Sequence, residues 1–414
     1  MPPLYVFEDS QTTALNPLTY TRAAFELRCG HCTLLERMER NLGRVGGVLV
    51  RAGLAELMRR RLPSVAVNPP LETKDGILLI NGRCLFLKGT EWSPPDYDCA
   101  GLSHGTVVWM NLSPTLAAKV DLSRLHEQKV LDELVQRVQH VAAHAAIIDR
   151  PWDLFAHQKA ALLEDFAVIG AANFATVMPG AHLLNPDQIH LGRGTKVWPG
   201  AVLDAQNGPI LIGEAAEIRA NCVITGPASI GTHCVIRNVA DIREETSIGP
   251  GCRVGGEING SIFLGNANKQ HHGFIGQTIV GEWANLGAGT TTSNMKNTYG
   301  TVKMPLNGVD ESSGRLFLGA IIGDHAKLGI GTYLSTGSVV GFASHVVVPR
   351  PPRFVPSFAW VTDKGVRRAD FEKLEQIAAT VMVRRHAEFT PADHELWVRI
   401  ASEWALAEKH AWEE

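Results

Sequence analysis

From Ile212 onward an aliphatic residue returns at every sixth position: Ile212, Ile218, Ile224, Ile230, Ile236, Ile242, Ile248 and Val254. The frame recurs at Phe274, Val280 and Leu286, and again at Leu316, Ile322, Leu328, Leu334, Val340 and Val346; Leu191, Val197 and Leu203 have the same spacing earlier. Two residues before each of these positions the side chain is small, as at Ala216, Cys222, Ala228, Cys234, Ala240, Thr246 and Cys252, and later at Ala320, Ala326, Thr332, Ser338 and Ser344. Residues two apart on a strand face the same side. One large and one small residue per short strand therefore fit a narrow interior, with glycine allowing the turn at each corner. Three such strands make a triangular coil of about 18 residues, and stacked coils bury a continuous core. A helical period does not fit this spacing. Cys222, Cys234 and Cys252 all occupy the small inward position, which makes them core cysteines.

The sixfold pattern leaves much of the 414-residue chain unaccounted for, and that length exceeds what one core organises. Residues 1–150 read as an α/β domain, with strands at Leu4–Phe7 and Gly76–Ile80 and helices at Leu34–Leu42 and Gln128–Ala146. Residues 151–170 read as a linker helix opened by Pro151-Trp152-Asp153, and residues 171–350 as the coil. The Pro-rich stretch Pro349–Pro356 breaks the repeat, and residues 351–414 read as helices near 370–388 and 391–410, the second capped by Thr390. Trp397, Trp404 and Trp412 read as packing residues. The net charge of −3 advertises no polyanion-binding surface. The N-terminus lacks a signal-peptide pattern, and no apolar run reaches the ~20 residues of a membrane helix, so a cytoplasmic protein is expected. Seven cysteines argue against a disulfide framework. Cys29-Gly30-His31-Cys32 has the spacing of a thiol-redox box, but its context is not the strand-to-helix junction such chemistry needs.

Two interruptions of the repeat, between Val254 and Phe274 and between Leu286 and Leu316, are expected to place loops on the outside, where function concentrates. The first carries His271 and His272. Acyl transfer from a thioester to an amine needs a base for the amine proton, for which a neutral imidazole is suited, and donors for the tetrahedral oxyanion. His271 and His272 are the candidate bases. Asn285 and Asn294 are candidates to hold sugar hydroxyls or orient the base, and Gly287-Ala288-Gly289 would let backbone approach a pantetheine arm closely.

The repeat as a whole resembles the hexapeptide-repeat acyltransferases, which implies a left-handed coil and homotrimers with active sites between neighbouring prisms. The stretch 271–294, HHGFIGQTIVGEWANLGAGTTTSN, resembles the acetyltransferase half of the bifunctional enzymes that make UDP-N-acetylglucosamine. That likeness implies a general base at His271, three residues before the Phe274-x-Gly276 step, although alignment from upstream selects His272. It further implies sugar contacts at Asn285 and Asn294, a sugar-phosphate arginine at Arg243, and a coenzyme A groove along Ala288 and Ala320, beside Gly289. Phe274 stands where the family has a tyrosine. A lysine of the family is missing near Gly260-Ser261, with Lys269 or Lys296 as possible substitutes.

Asn16-Pro-Leu-Thr-Tyr-Thr-Arg22 and Leu34-Leu-Glu-Arg37 resemble the start of sugar-phosphate nucleotidyltransferases. The family's glycine-rich loop and lysine are absent, and Asn81-Gly82-Arg83 follows a strand where a metal-binding aspartate would stand. Arg22, Asn81 and Arg83 are the nucleotide-binding candidates, with Asp9 a further replacement. The layout implies acetyl-CoA-dependent acetylation of glucosamine 1-phosphate coupled to uridylyl transfer, with UTP and Mg²⁺ used if that half is active. The alternatives are a single-activity acyltransferase with a catalytically dead N-terminal domain, and a non-enzymatic solenoid scaffold. No metal site is expected in the coil: His233, His271, His272 and His325 lack the spacing of a three-histidine zinc enzyme.

Overall fold

The computed structural model describes residues 2–71, 74–90 and 92–412. The chain divides into two compact units. The first comprises residues 1–15, 21–27 and 32–153; the second comprises residues 16–20, 28–31 and 154–414.

The first unit is built on a seven-stranded mixed sheet, in the order Gln139–Ala142, Cys99–Ser103, Thr106–Leu112, Ile77–Asn81, Leu4–Phe7, Val45–Leu49, Ala66–Val67. Leu4–Phe7 pairs in parallel with strands on both sides, and all four of its residues are buried, as an inner strand covered on both faces should be. The helix Leu34–Leu42 begins at a capping box in which Thr33 and Glu36 satisfy each other's backbone N–H groups. The expected helix over 128–146 is shorter than the sequence suggests. It runs from Gln128 to Val135, and Gln139–Ala142 instead joins the sheet edge beside Cys99–Ser103. Edge pairing of this polar segment outweighs its helical pattern.

In the second unit the helix Asp153–Ile169 leads into three sheets, of ten, eleven and six strands among the described residues, parallel throughout except that Gly365–Arg368 closes the eleven-stranded one antiparallel to Ala359–Thr362. The chain visits the faces in rotation, which is the left-handed β-helix of hexapeptide repeats. On the first face Leu191, Ile212, Ile230, Ile248, Phe263, Val280, Ile322, Val340 and Val355 stack in register. Cys222, Cys234 and Cys252 are free thiols with no exposed surface, and burial pushes Cys222 and Cys234 up to about 12.

Three expectations change here. The first interruption is not an external loop, because Glu257–Asn259, Ile262–Phe263 and Asn268–Lys269 continue the three faces. Gly255 and Gly256, the latter at φ +82°, shorten the corner, so the coil goes on while the sixfold count slips. Leu316 lies outside the coil at 42% exposure, and Leu318 is buried instead. The second interruption is a true excursion carrying the antiparallel hairpin Lys303–Leu306 and Val309–Ser312. The coil also runs past position 350: Phe354–Val355 extends the first face and Ala359–Thr362 the second. Only then come the helices Phe371–Val383 and Pro391–Ser402. Trp397 packs among Phe342, Phe358, Phe371 and Phe389. Cys29 lies in the strand Arg28–Cys29 and not at a helix start.

Candidate active site

In this coil the second-face strand ends at Lys269 and the third-face strand begins at Phe274, so His271 and His272 lie in the corner between them. Both histidines are exposed. The same corner one coil on is Gly287–Thr290. The Gly289 N–H donates to the His272 carbonyl at 3.0 Å. A Cβ at Gly289 would lie 3.4 Å from His272 Nε2, so the imidazole stands over Gly289, whose φ is +76°. Ala288, half-buried beside it, accepts the N–H of Gly331 from the following coil. The corner thus sets an exposed imidazole against a glycine-lined backbone step.

On the third face Glu257 pairs with Phe274 and Asn259 with Gly276. A Cβ at Gly276 would come within 2.5 Å of the Phe274 ring and 2.7 Å of Asn294 Nδ2, so these two side chains meet over the glycine. The Asn294 amide donates to Gln277 Oε1. Gln277 was not singled out from the sequence; its only local signal is a corner position, at φ +37°, inside the resemblance. Arg243 sits lower on the same face, half-exposed, with Asp241 and Glu257 both at 3.5 Å.

The remaining candidates lie elsewhere. Asn285 is on the second face, in register with Asn268 and Lys327, around the corner from Phe274. Ala320 is a small inward residue with no exposed surface, so its side chain lines no groove. Lys269, expected to contact sugar, is fully buried in register with Val254, at a position meant for an aliphatic residue. Its ammonium donates to the carbonyls of His271 (2.5 Å), His272 (2.9 Å) and Gly255 (3.4 Å). Desolvation pushes it down to about 8.

In the first unit, Asn81, Arg83 and Asp9 bond to one another. Arg83 donates from Nε and Nη2 to the two oxygens of Asp9 at 2.8 and 2.7 Å, and from Nη1 to Asp149. Asn81 Nδ2 donates to Asp9 at 2.8 Å, and Asn81 Oδ1 accepts the Arg83 N–H. Burial opposes the guanidinium charge, but Asp9 and Asp149 outweigh it and hold Arg83 above its ordinary value. Arg22 is buried, and its carbonyl accepts from Arg51 at 3.4 Å. These carboxylates do not fit a divalent cation. Asp9 is already neutralised by a buried guanidinium, and a second cation beside it would be repelled.

The strand registers define a left-handed β-helix of hexapeptide repeats following an α/β domain. Residues 4–173 match the family model described as sugar nucleotidyl transferase. The chain is 32% identical over 140 residues to a bifunctional sugar-1-phosphate nucleotidylyltransferase/acetyltransferase of Sulfurisphaera tokodaii, covering 32% of this chain and 34% of that one. It is 35% identical over 114 residues to the bifunctional protein GlmU of Methanococcus vannielii, covering 28% and 26%. The match to GlmU of Bartonella bacilliformis is longer, 278 residues at 22% identity, covering 63% of this chain and 59% of that one. The chain thus spans about a third or less of the first two relatives. Among solved structures, a UDP-N-acetylglucosamine acyltransferase from Campylobacter jejuni aligns over 56% of this chain and 96% of its own, at 14% identity and a TM-score of 0.23. At that similarity the fold rests on the strand registers themselves. The likeness expected from the sequence, to bifunctional sugar-phosphate nucleotidyltransferase/acetyltransferases, is what these relatives show, and with it the transferase class.

Proposed function

We propose that the chain transfers an acetyl group from acetyl-CoA to the amine of an amino-sugar 1-phosphate, glucosamine 1-phosphate being the first candidate, as a cytoplasmic homotrimer. The observation that carries this reading is the His272 imidazole standing over Gly289 on an open corner of the coil. The neutral ring takes the amine proton as nitrogen attacks the thioester carbonyl. When the tetrahedral adduct collapses, the C–S bond breaks and the imidazolium returns that proton to the departing thiolate. Phe274, Gln277 and Asn294 form the sugar side, and Arg243 offers a phosphate partner further along the same face. Asn285, on the second face, would serve a site completed by a neighbouring copy.

A coupled nucleotidyl transfer is the fuller reading that the first relative's name suggests, and the sequence resemblance implies uridylyl transfer giving UDP-N-acetylglucosamine. The Asp9–Arg83 pair favours a second one, in which the N-terminal domain performs no metal-dependent chemistry.

Coenzyme A release against a panel of amino-sugar phosphates tests the main reading. His272→Ala is expected to lower kcat about 100-fold or more, and His271→Ala only a few-fold. Full activity in both single variants would remove both histidines as the base, and no coenzyme A release by the native chain would return it to a scaffold role.

A further inference from the structure

We propose that Lys269 is a positioning residue, whose buried ammonium clamps the histidine corner from inside the coil and so holds the His272 ring over Gly289. The inference rests on the acetyl-transfer reading. An aliphatic residue would satisfy the core here, as Val254 does in register beneath it. A lysine at the same place costs desolvation and is tolerated only if its donors find partners. They find the carbonyls of Gly255, His271 and His272, all three on the corner or just below it. The His272 carbonyl also accepts the Gly289 N–H. This peptide is therefore held from the core and from the next coil at once, which leaves only the ring free to meet substrate.

The inward neighbours Val254, Ile258, Phe263, Ile275 and Leu286 carry no charge. Burial is the one cause of the lysine's shift, and no charged group contributes to it. Among the described residues no carboxylate pairs with it, and three carbonyls hold the charge. The value of about 8 lies below the ordinary 10.5, so between them the folded chain binds fewer protons than the unfolded one. Stability supplied at this position therefore rises with pH across that window. The clamp does the opposite: the neutral amine keeps two of its three donors and loses its charge, so the corner loosens as pH rises through about 8. A lysine that only filled the core would move stability and turnover in the same sense.

Lys269→Met decides the matter. Relative to the native chain, the amides of 270–273 should exchange with deuterium about tenfold faster. The kcat for acetyl transfer should fall about tenfold or more with the sugar-phosphate KM within about twofold, as for a displaced base. The decline of native kcat above pH 8 should vanish in the variant. In the native protein itself, raising the pH from 7 to 9 should speed exchange of those amides relative to those of Ile224–Ile242, which keeps the test alive if the variant does not fold. Unchanged exchange in both arms, or the same high-pH decline in Lys269→Met, overturns the proposal. Absence of any acetyl transfer by the native chain would sink the functional reading instead, with the exchange arms still deciding the clamp.

Discussion

Gly276 shows how little space separates the side chains assigned to the sugar. Its Cβ position is claimed by the Phe274 ring and the Asn294 amide, both ends of movable side chains rather than backbone. Gly276→Ala should therefore push these two apart while leaving the coil intact. We expect the sugar-phosphate KM to rise about 3- to 10-fold with stability changed by no more than about 1 kcal/mol; an unchanged KM in steady-state kinetics would remove Phe274 and Asn294 from the sugar side. Residues such as these were legible because they lie within one contiguous stretch of resemblance. Lys269 was misread for a physical reason. From Val254 to Phe274 the coil shortens two corners, so counting by six loses the inward position that Lys269 holds. Asn81, Arg83 and Asp9 were readable as a polar cluster, but the sequence does not say that their hydrogen-bonding capacity is spent on one another.

At the scale of elements, the coil was the most legible part because every strand repeats the same large-and-small choice. Its sixfold pattern survives wherever corners keep one length. The helix Gln128–Val135 is shorter than the sequence suggests because the exposed segment Gln139–Ala142 pairs at the sheet edge, which no local pattern marks. The C-terminal helices were visible from their caps, but what they pack on was not. Trp397 is 2% exposed, with Phe342 at 4.9 Å, His325 at 5.1 Å and Phe389 at 5.3 Å between ring centroids. Phe342 and His325 belong to the coil, so this ring is what seats the helix Pro391–Ser402 on it. Trp397→Ala should cost about 3–5 kcal/mol at that contact. Hydrogen exchange should show Phe371–Val383 and Pro391–Ser402 losing protection while Ile212–Val254 keeps it. Protection retained in both helices would mean that another contact seats them.

For the whole molecule, the question is whether two chemistries or one reside in the chain. A nucleotidyl transfer of the kind the relatives' names describe brings together a polyanionic triphosphate and a divalent cation, and the cation needs carboxylates free to bind it. In the first unit the obvious carboxylate, Asp9, has both oxygens occupied by Arg83 and a third donor from Asn81, at 4% exposure. Glu8 beside it is buried and engaged by Arg51, and burial pushes its carboxyl up against the pull of that arginine. Opening either pair would strand a buried charge, at about 3–5 kcal/mol for each pair broken. A metal ion would have to repay that before any catalysis began. Purified protein given UTP, Mg²⁺ and N-acetylglucosamine 1-phosphate should accordingly release no pyrophosphate above background. Coenzyme A release should be indifferent to EDTA, because neither the base nor the leaving thiolate calls on a metal. Pyrophosphate formed in proportion to enzyme would refute the single-activity reading. It would also require the Asp9–Arg83 pair to separate on binding nucleotide; Arg83→Met, which itself strands the Asp9 charge, should then raise pyrophosphate release, and should leave that release at background if no such rearrangement occurs.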